Sequence, residues 1–181
     1  MKKFLTPFQI IELLIIIGLI GYIGFIKADT HERGLVRDRD VVRISNLNQI
    51  RYALDQYRDE KGVYPVCLYK TAGCTSLEGS DAMSEVPKDP LTNKPYSYAA
   101  IGHGSACTSF HLGTSLERTA SQALLAGSDA PPVSASELCT GSAPDFSGLS
   151  YAPGGELCNL DAGIAQPTDE PQGETCFDLQ K

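Results

Sequence analysis

Six cysteines, Cys67, Cys74, Cys107, Cys139, Cys158 and Cys176, offer the most chemistry in this chain. None stands in a C-x-x-C pair and only three histidines accompany them, so zinc and dithiol-redox spacings are absent. An even number of cysteines following an apolar anchor points to disulfides in an oxidising compartment. Spacing alone leaves the pairing open; the short Cys67–Cys74 loop is the easiest bridge to propose. His103 and His111 flank Ser105 and Ser109, a pairing that could in principle make a nucleophile and its base. Incidental Ser and His on a hairpin are by far the commoner case. The chain carries no H-E-x-x-H, no G-x-S-x-G, no Gly-Lys-Ser/Thr phosphate loop and no G-x-G-x-x-G. No enzymatic activity and no catalytic residue are expected. One carboxylate, Glu12, stands inside an apolar run, where a charge costs about 3 kcal/mol and calls for a partner.

That run, Phe8 to Ile26, is FQIIELLIIIGLIGYIGFI. Nineteen helical residues span roughly 28 Å, close to the hydrocarbon thickness of a bilayer. The run is too long for the apolar core of a secretory signal, and no A-x-A site follows it. It reads as an anchor that stays with the protein. From Asp29 to Gly62 there is no proline, and Ile44, Leu47, Ile50, Leu54 and Tyr57 recur every three to four residues, one face of an amphipathic helix. Gly62 and Pro65 end it. Asp29–Arg33 and Asp40–Arg43 are helical charge pairs. The mixed charges of this stretch read as a solvated face, or as registry between neighbouring helices through Arg37, Asp38, Arg39 and Asp40.

Beyond Pro65 the helical period is lost, and Gly, Ser, Pro and Thr become frequent. Tyr96 and Tyr98 open a strand, a second reads Cys107 to Leu116, and His103-Gly104 marks the turn of a β-hairpin between them. Tyr151 and Thr175–Leu179 offer a third strand and an edge. Gly127–Ser147 is too irregular to place and reads as an exposed loop tied down by Cys139. The whole chain carries a net charge of −7; from Val63 onward five Lys/Arg face fourteen Asp/Glu, a net −9. Such a head repels phosphate, so no nucleic-acid partner is expected.

The residues Phe8 and Ile10–Gly18, with Glu12 four residues after the Phe, resemble the class III signal of type IV prepilins and type II secretion pseudopilins. Gly62-Val63-Tyr64-Pro65 and the Asp89–Tyr98 stretch, D-P-L-T-N-K-P-Y-S-Y, resemble the helix exit and the loop-to-strand transition of major pseudopilins. The resemblance covers Phe8–Leu116 and little beyond. It implies an α+β, pilin-like fold: a long N-terminal α-helical spine, its first half transmembrane, packed against a small antiparallel β-sheet head. The expected parts are a leader peptide at 1–7, a transmembrane or filament-core helix at 8–28, the amphipathic half of the spine at 29–62, and a disulfide-bearing head at 63–181. A dedicated prepilin peptidase would cut between Pro7 and Phe8 and methylate Phe8, although Pro7 stands where the family has Gly. Glu12 would then pair with the new amino terminus of a neighbouring subunit. No family-type proline follows Glu12; Gly18, Gly21 and Gly24 offer either the same looseness or close helix packing.

The function so implied is a structural subunit of a type IV pilus or secretion pseudopilus, inserted in the membrane and assembled into a helical filament. Its partners would be copies of itself, minor pilins and the inner-membrane assembly platform. The alternative is a membrane-anchored, unprocessed, monomeric extracytoplasmic binding domain. Lys2 and Lys3 suggest a cytoplasmic amino end, but Lys27, Arg33, Arg37, Arg39 and Arg43 flank the other side, so orientation rests on the resemblance and the cysteines. The resemblance also raises calcium, and Asp145, Asp161, Asp169 and Glu170 carry oxygens of the kind it takes. With no D-x-D-x-D-G loop present, these read as a solvated acidic loop; no metal ligand and no cofactor are assigned.

Overall fold

A computed structural model describes residues 7–118, 126–146 and 176–181, with the side chains of residues 7, 9, 10, 12 and 28–32 left aside. The element order is helix α1 (Pro7–Lys61), strands β1 (Ser97–His103) and β2 (Ala106–Ser115), a 3-10 turn (Ala135–Glu137) and strand β3 (Cys176–Gln180). The chain falls into two compact units, Met1–Asp38 and Arg39–Lys181.

In the first unit the helical side chains described are those of 8, 11, 13–27 and 33–38, and the second unit takes up α1 from Arg39. The expected spine with a transmembrane first half is corrected here. Among the described residues no helix is long and apolar enough to cross a membrane. The same helix runs on past Ile26 into charged residues, Lys27, Arg33, Arg37, Asp38, Arg39, Asp40 and Arg43 among them, and each charge placed in hydrocarbon costs about 3 kcal/mol.

In the second unit, Leu47, Ile50, Ala53 and Leu54 of α1 are buried, with Ile44 and Tyr57 packed partly buried beside them. This is the stripe expected from the three-to-four spacing. It packs with Tyr64, Leu68, Leu77, Val86, Tyr96, Tyr98, Phe110, Leu112, Leu116, Phe177 and Leu179 in one apolar cluster. Tyr64 meets Phe110 edge-on at 4.9 Å between ring centroids. At the end of the helix, Gly62 takes φ +79° and its N–H donates to the Arg58 carbonyl at 2.7 Å, the left-handed glycine cap that satisfies an end carbonyl.

The sheet is three-stranded and antiparallel, in the order β1-β2-β3. The hairpin falls where tyrosine alternation predicts it, with His103 paired to Ala106 across a Gly104-Ser105 turn. The register shifts between Ile101 and Gly102. Gly102 has φ +152°, and a Cβ there would stand 2.1 Å from the Ala106 carbonyl oxygen, so this bulge admits only glycine. The third strand, Cys176–Gln180, falls on the expected Cys176–Leu179, and Tyr151 and Thr175 lie outside the described residues.

Candidate functional site

In the first unit the large apolar side chains from Leu13 to Ile26 are each 44–73% exposed. Leucines and isoleucines occupy every face of this stretch, and a helix apolar all round is stable only when something covers it. Gly18, Gly21 and Gly24 have no neighbouring atom within 4 Å of where a Cβ would be. Their spacing of three puts them near one side of the helix, where a second backbone can approach closely. Phe8 is 70% exposed; the side chains of Pro7 and Glu12 lie outside the described residues.

The second unit holds two buried ionic clusters. The first gathers on Arg43, which has no exposed surface. Its Nε donates to Asp89 Oδ2 at 2.5 Å, and its Nη1 donates to Asp40 Oδ1 at 2.9 Å and to Glu117 Oε1 at 2.6 Å. Arg39 adds a two-pronged contact to Glu117, at 2.7 and 2.5 Å, the planar fork that guanidinium makes on carboxylate. Asp40 Oδ1 also accepts the Glu117 backbone N–H at 2.9 Å. Asp89 is fixed from its own loop, since its Oδ1 accepts the N–H groups of Leu91 and Thr92. Asn93 closes this turn at φ +56°, donating to the Asp89 carbonyl. Thus the D-P-L-T-N-K-P-Y stretch presents a carboxylate to the helix.

Burial alone would lower the Arg43 pKa, but the hydrogen bonds to Asp89, Glu117 and Asp40 outweigh it and raise it. Burial would raise Asp89, yet Arg43 and the Thr92 N–H bring it below its ordinary value. Glu117 is brought down by Arg39, against burial and with help from Arg43. Of the buried polar side-chain atoms described, Asp40 Oδ2 and Ser115 Oγ have no hydrogen-bond partner.

The second cluster is a carboxylate–imidazole–carboxylate chain. His111 on β2 is fully buried; its Nδ1 lies 2.8 Å from Asp145 Oδ1 and its Nε2 lies 2.9 Å from Asp178 Oδ2 on β3. An ionised carboxylate only accepts, so satisfying both contacts requires N–H on both ring nitrogens, the imidazolium form. Phe146 stacks on the ring at 3.9 Å. Asp178 also accepts the N–H groups of Ser128, Asp129 and Ala130, each at 3.0 Å, and Asp145 accepts those of Val133 and Phe146. The segment that looks irregular in sequence is therefore organised around one ring.

Disulfides join Cys67 to Cys74 and Cys107 to Cys139, and Cys176 is also disulfide-bonded. Cys158 lies outside the described residues. Of the residues assigned to registry, Arg37 and Asp38 are exposed in the first unit, whereas Arg39 and Asp40 make the ion pairs above within the second. Among the described residues no three His, Cys, Asp or Glu side chains group as metal ligands would. Asp145 is engaged by His111, and Asp161, Asp169 and Glu170 lie outside the described residues. Sequence reasoning missed Arg43, Asp89 and Glu117 as a cluster, and His111, Asp145 and Asp178 as a chain. Only the Asp40–Arg43 spacing carried a local signal.

Comparison of the chain with protein-family models, with curated proteins and with solved structures finds no match.

Proposed function

We propose that this chain is a structural subunit of a filament of the type IV pilin-like class, assembled through the apolar helical stretch of its first unit and carrying the second unit as its head. The observation that carries the reading is the exposure of every large apolar side chain from Leu13 to Ile26. Covering such a stretch with equivalent helices of neighbouring copies would be worth on the order of 10 kcal/mol before entropy costs, at about 1 kcal/mol for each half-exposed Leu or Ile newly buried. Glycines three apart give the close approach such packing needs. Glu12 is the one carboxylate of the apolar run, and a neighbour's amino terminus is the cation suited to it. The disulfides of the head agree with an extracytoplasmic place for it. No catalytic role is proposed.

The test is assembly in the native cell. Wild-type protein should appear in sheared or sedimented filaments visible by electron microscopy. Glu12→Ala should lower that fraction several-fold while the head keeps its disulfides and its near-UV circular dichroism. A mutant that assembles as well as wild type would remove Glu12 from the mechanism. Wild-type protein that stays monomeric would replace the filament reading with an anchored, unprocessed binding domain.

A further inference from the structure

Segment 126–146 is fastened to the sheet at two places by different means. At one, Cys139 is bonded to Cys107, its N–H donates to the Ala100 carbonyl at 2.9 Å, and the Thr140 N–H donates to the Gly104 carbonyl at 2.8 Å. At the other, the backbone N–H groups of Asp129, Ala130 and Val133 end on Asp178 and Asp145, and both carboxylates are held by the His111 ring. The first fastening is covalent. The second depends on a proton.

We propose that Asp145–His111–Asp178 is a proton-operated latch. With the ring doubly protonated, the arm Asp129–Ser134 lies closed over the sheet; loss of one ring proton releases the arm, while the Cys107–Cys139 bridge keeps the rest of the segment attached. A neutral imidazole has one N–H and one lone pair. In a site with no solvent access its lone pair would then face a carboxylate oxygen, and two acidic groups would lose the cation between them. Among the described residues, the charged groups facing the ring from the elements packed on it are Asp145 of the segment and Asp178 of β3; its strand partners Ala99 and Gln180 and the stacked Phe146 carry none. Asp129 contributes its backbone N–H, and its side chain is on an exposed residue. Two bonds between Ser128 and β3, from its N–H to the Asp178 carbonyl and from the Gln180 N–H to its Oγ, mark where the arm would hinge.

The direction of the switch follows from the two partners. Burial lowers the His111 pKa, but Asp145 and Asp178 outweigh it and raise it above the ordinary histidine value. A raised value gives a contribution fully present below the unfolded pKa and lost as pH rises through the folded one. Asp178 is raised by burial but brought down on balance by His111 and the N–H groups of Ala130 and Asp129. Its contribution persists until pH falls through that lowered value. The latch is thus closed on the acid side of the raised His111 pKa and opens as pH rises through it.

The test uses the full chain with its disulfides intact. Ring nitrogen shifts of His111 are followed by NMR across a pH series, together with hydrogen exchange of selected backbone amides, corrected for the intrinsic pH dependence of exchange. Both ring nitrogens should carry protons while the arm is closed. Protection of the Asp129, Ala130 and Val133 amides should fall about tenfold or more along the His111 titration, while Cys139 and Thr140 keep theirs. Asp145→Asn, which removes one of the two charges, should move the opening to lower pH. A single neutral tautomer while the arm is still protected would overturn the latch, as would arm protection that ignores the titration, a loss shared equally by Cys139 and Thr140, or an opening unmoved by D145N.

Discussion

Arg43 has no exposed surface, and Asp40, Asp89 and Glu117 share its guanidinium. Removing the cation leaves those carboxylates largely buried without their partner, which in such clusters costs about 3–5 kcal/mol. Arg43→Ala should therefore lower the denaturant midpoint of the head steeply. Arg39→Ala, whose side chain is 25% exposed in the wild type, should cost clearly less. Equal costs in urea titrations would mean that Glu117 is held mainly by Arg39. The same scale shows why clusters of this kind are hard to read beforehand. Asp40 and Arg43 are one helical turn apart and visible as a pair, but Asp89 and Glu117 reach Arg43 across sequence separations of 46 and 74. His111 is less legible still: it sits among ordinary strand residues, and its partners are 34 and 67 positions away. Nothing local distinguishes a histidine that bridges two buried acids from one that points to solvent.

At the scale of elements, the hairpin separates two glycines that look alike in sequence. Gly102 needs both its backbone angle and its missing Cβ, since that atom would meet the Ala106 carbonyl; Gly104, at φ +59°, has open space around it. Gly104→Ala should thus cost about 1–2 kcal/mol, the strain of a left-handed residue. Gly102→Ala should cost more and disturb the β1–β2 register, read as lost protection of the bulge amides. Equal costs would show that the bulge relaxes freely. Elements with a strong period were legible: the stripe Leu47, Ile50 and Leu54, the tyrosine alternation opening β1, and the glycine after Lys61. The membrane-crossing half of a spine was not: hydropathy summed from Phe8 to Ile26 weighs the apolar run alone and takes no account of the charged residues that continue the same helix, and among the described residues no helix is long and apolar enough to cross a membrane. The Asp129–Ser134 arm was illegible for another reason. It has no period of its own, and its backbone bonds end on side chains from other elements.

For the molecule as a whole, the two described bridges between named partners should differ in weight. Cys67–Cys74 closes a sequence separation of 7 and Cys107–Cys139 one of 32. On chain entropy alone these are worth about 2 and about 4 kcal/mol. Replacing Cys107 and Cys139 together by Ser should lower thermal stability more than replacing Cys67 and Cys74, a comparison that calorimetry makes directly. The reverse order would mean that the unfolded chain keeps the hairpin and segment 126–146 together unaided. The same stapled segment has a second consequence. A three-stranded sheet has two outer strands, each a row of backbone groups onto which another chain could add. Here the Cys139 N–H and the Ser142 hydroxyl occupy the Ala100 carbonyl and N–H of β1, while Ser128 takes the Asp178 carbonyl and the Gln180 N–H of β3. At these positions the two edges are therefore closed to an added strand, which shortens the row of backbone groups on which the cross-β stacking of amyloid could start.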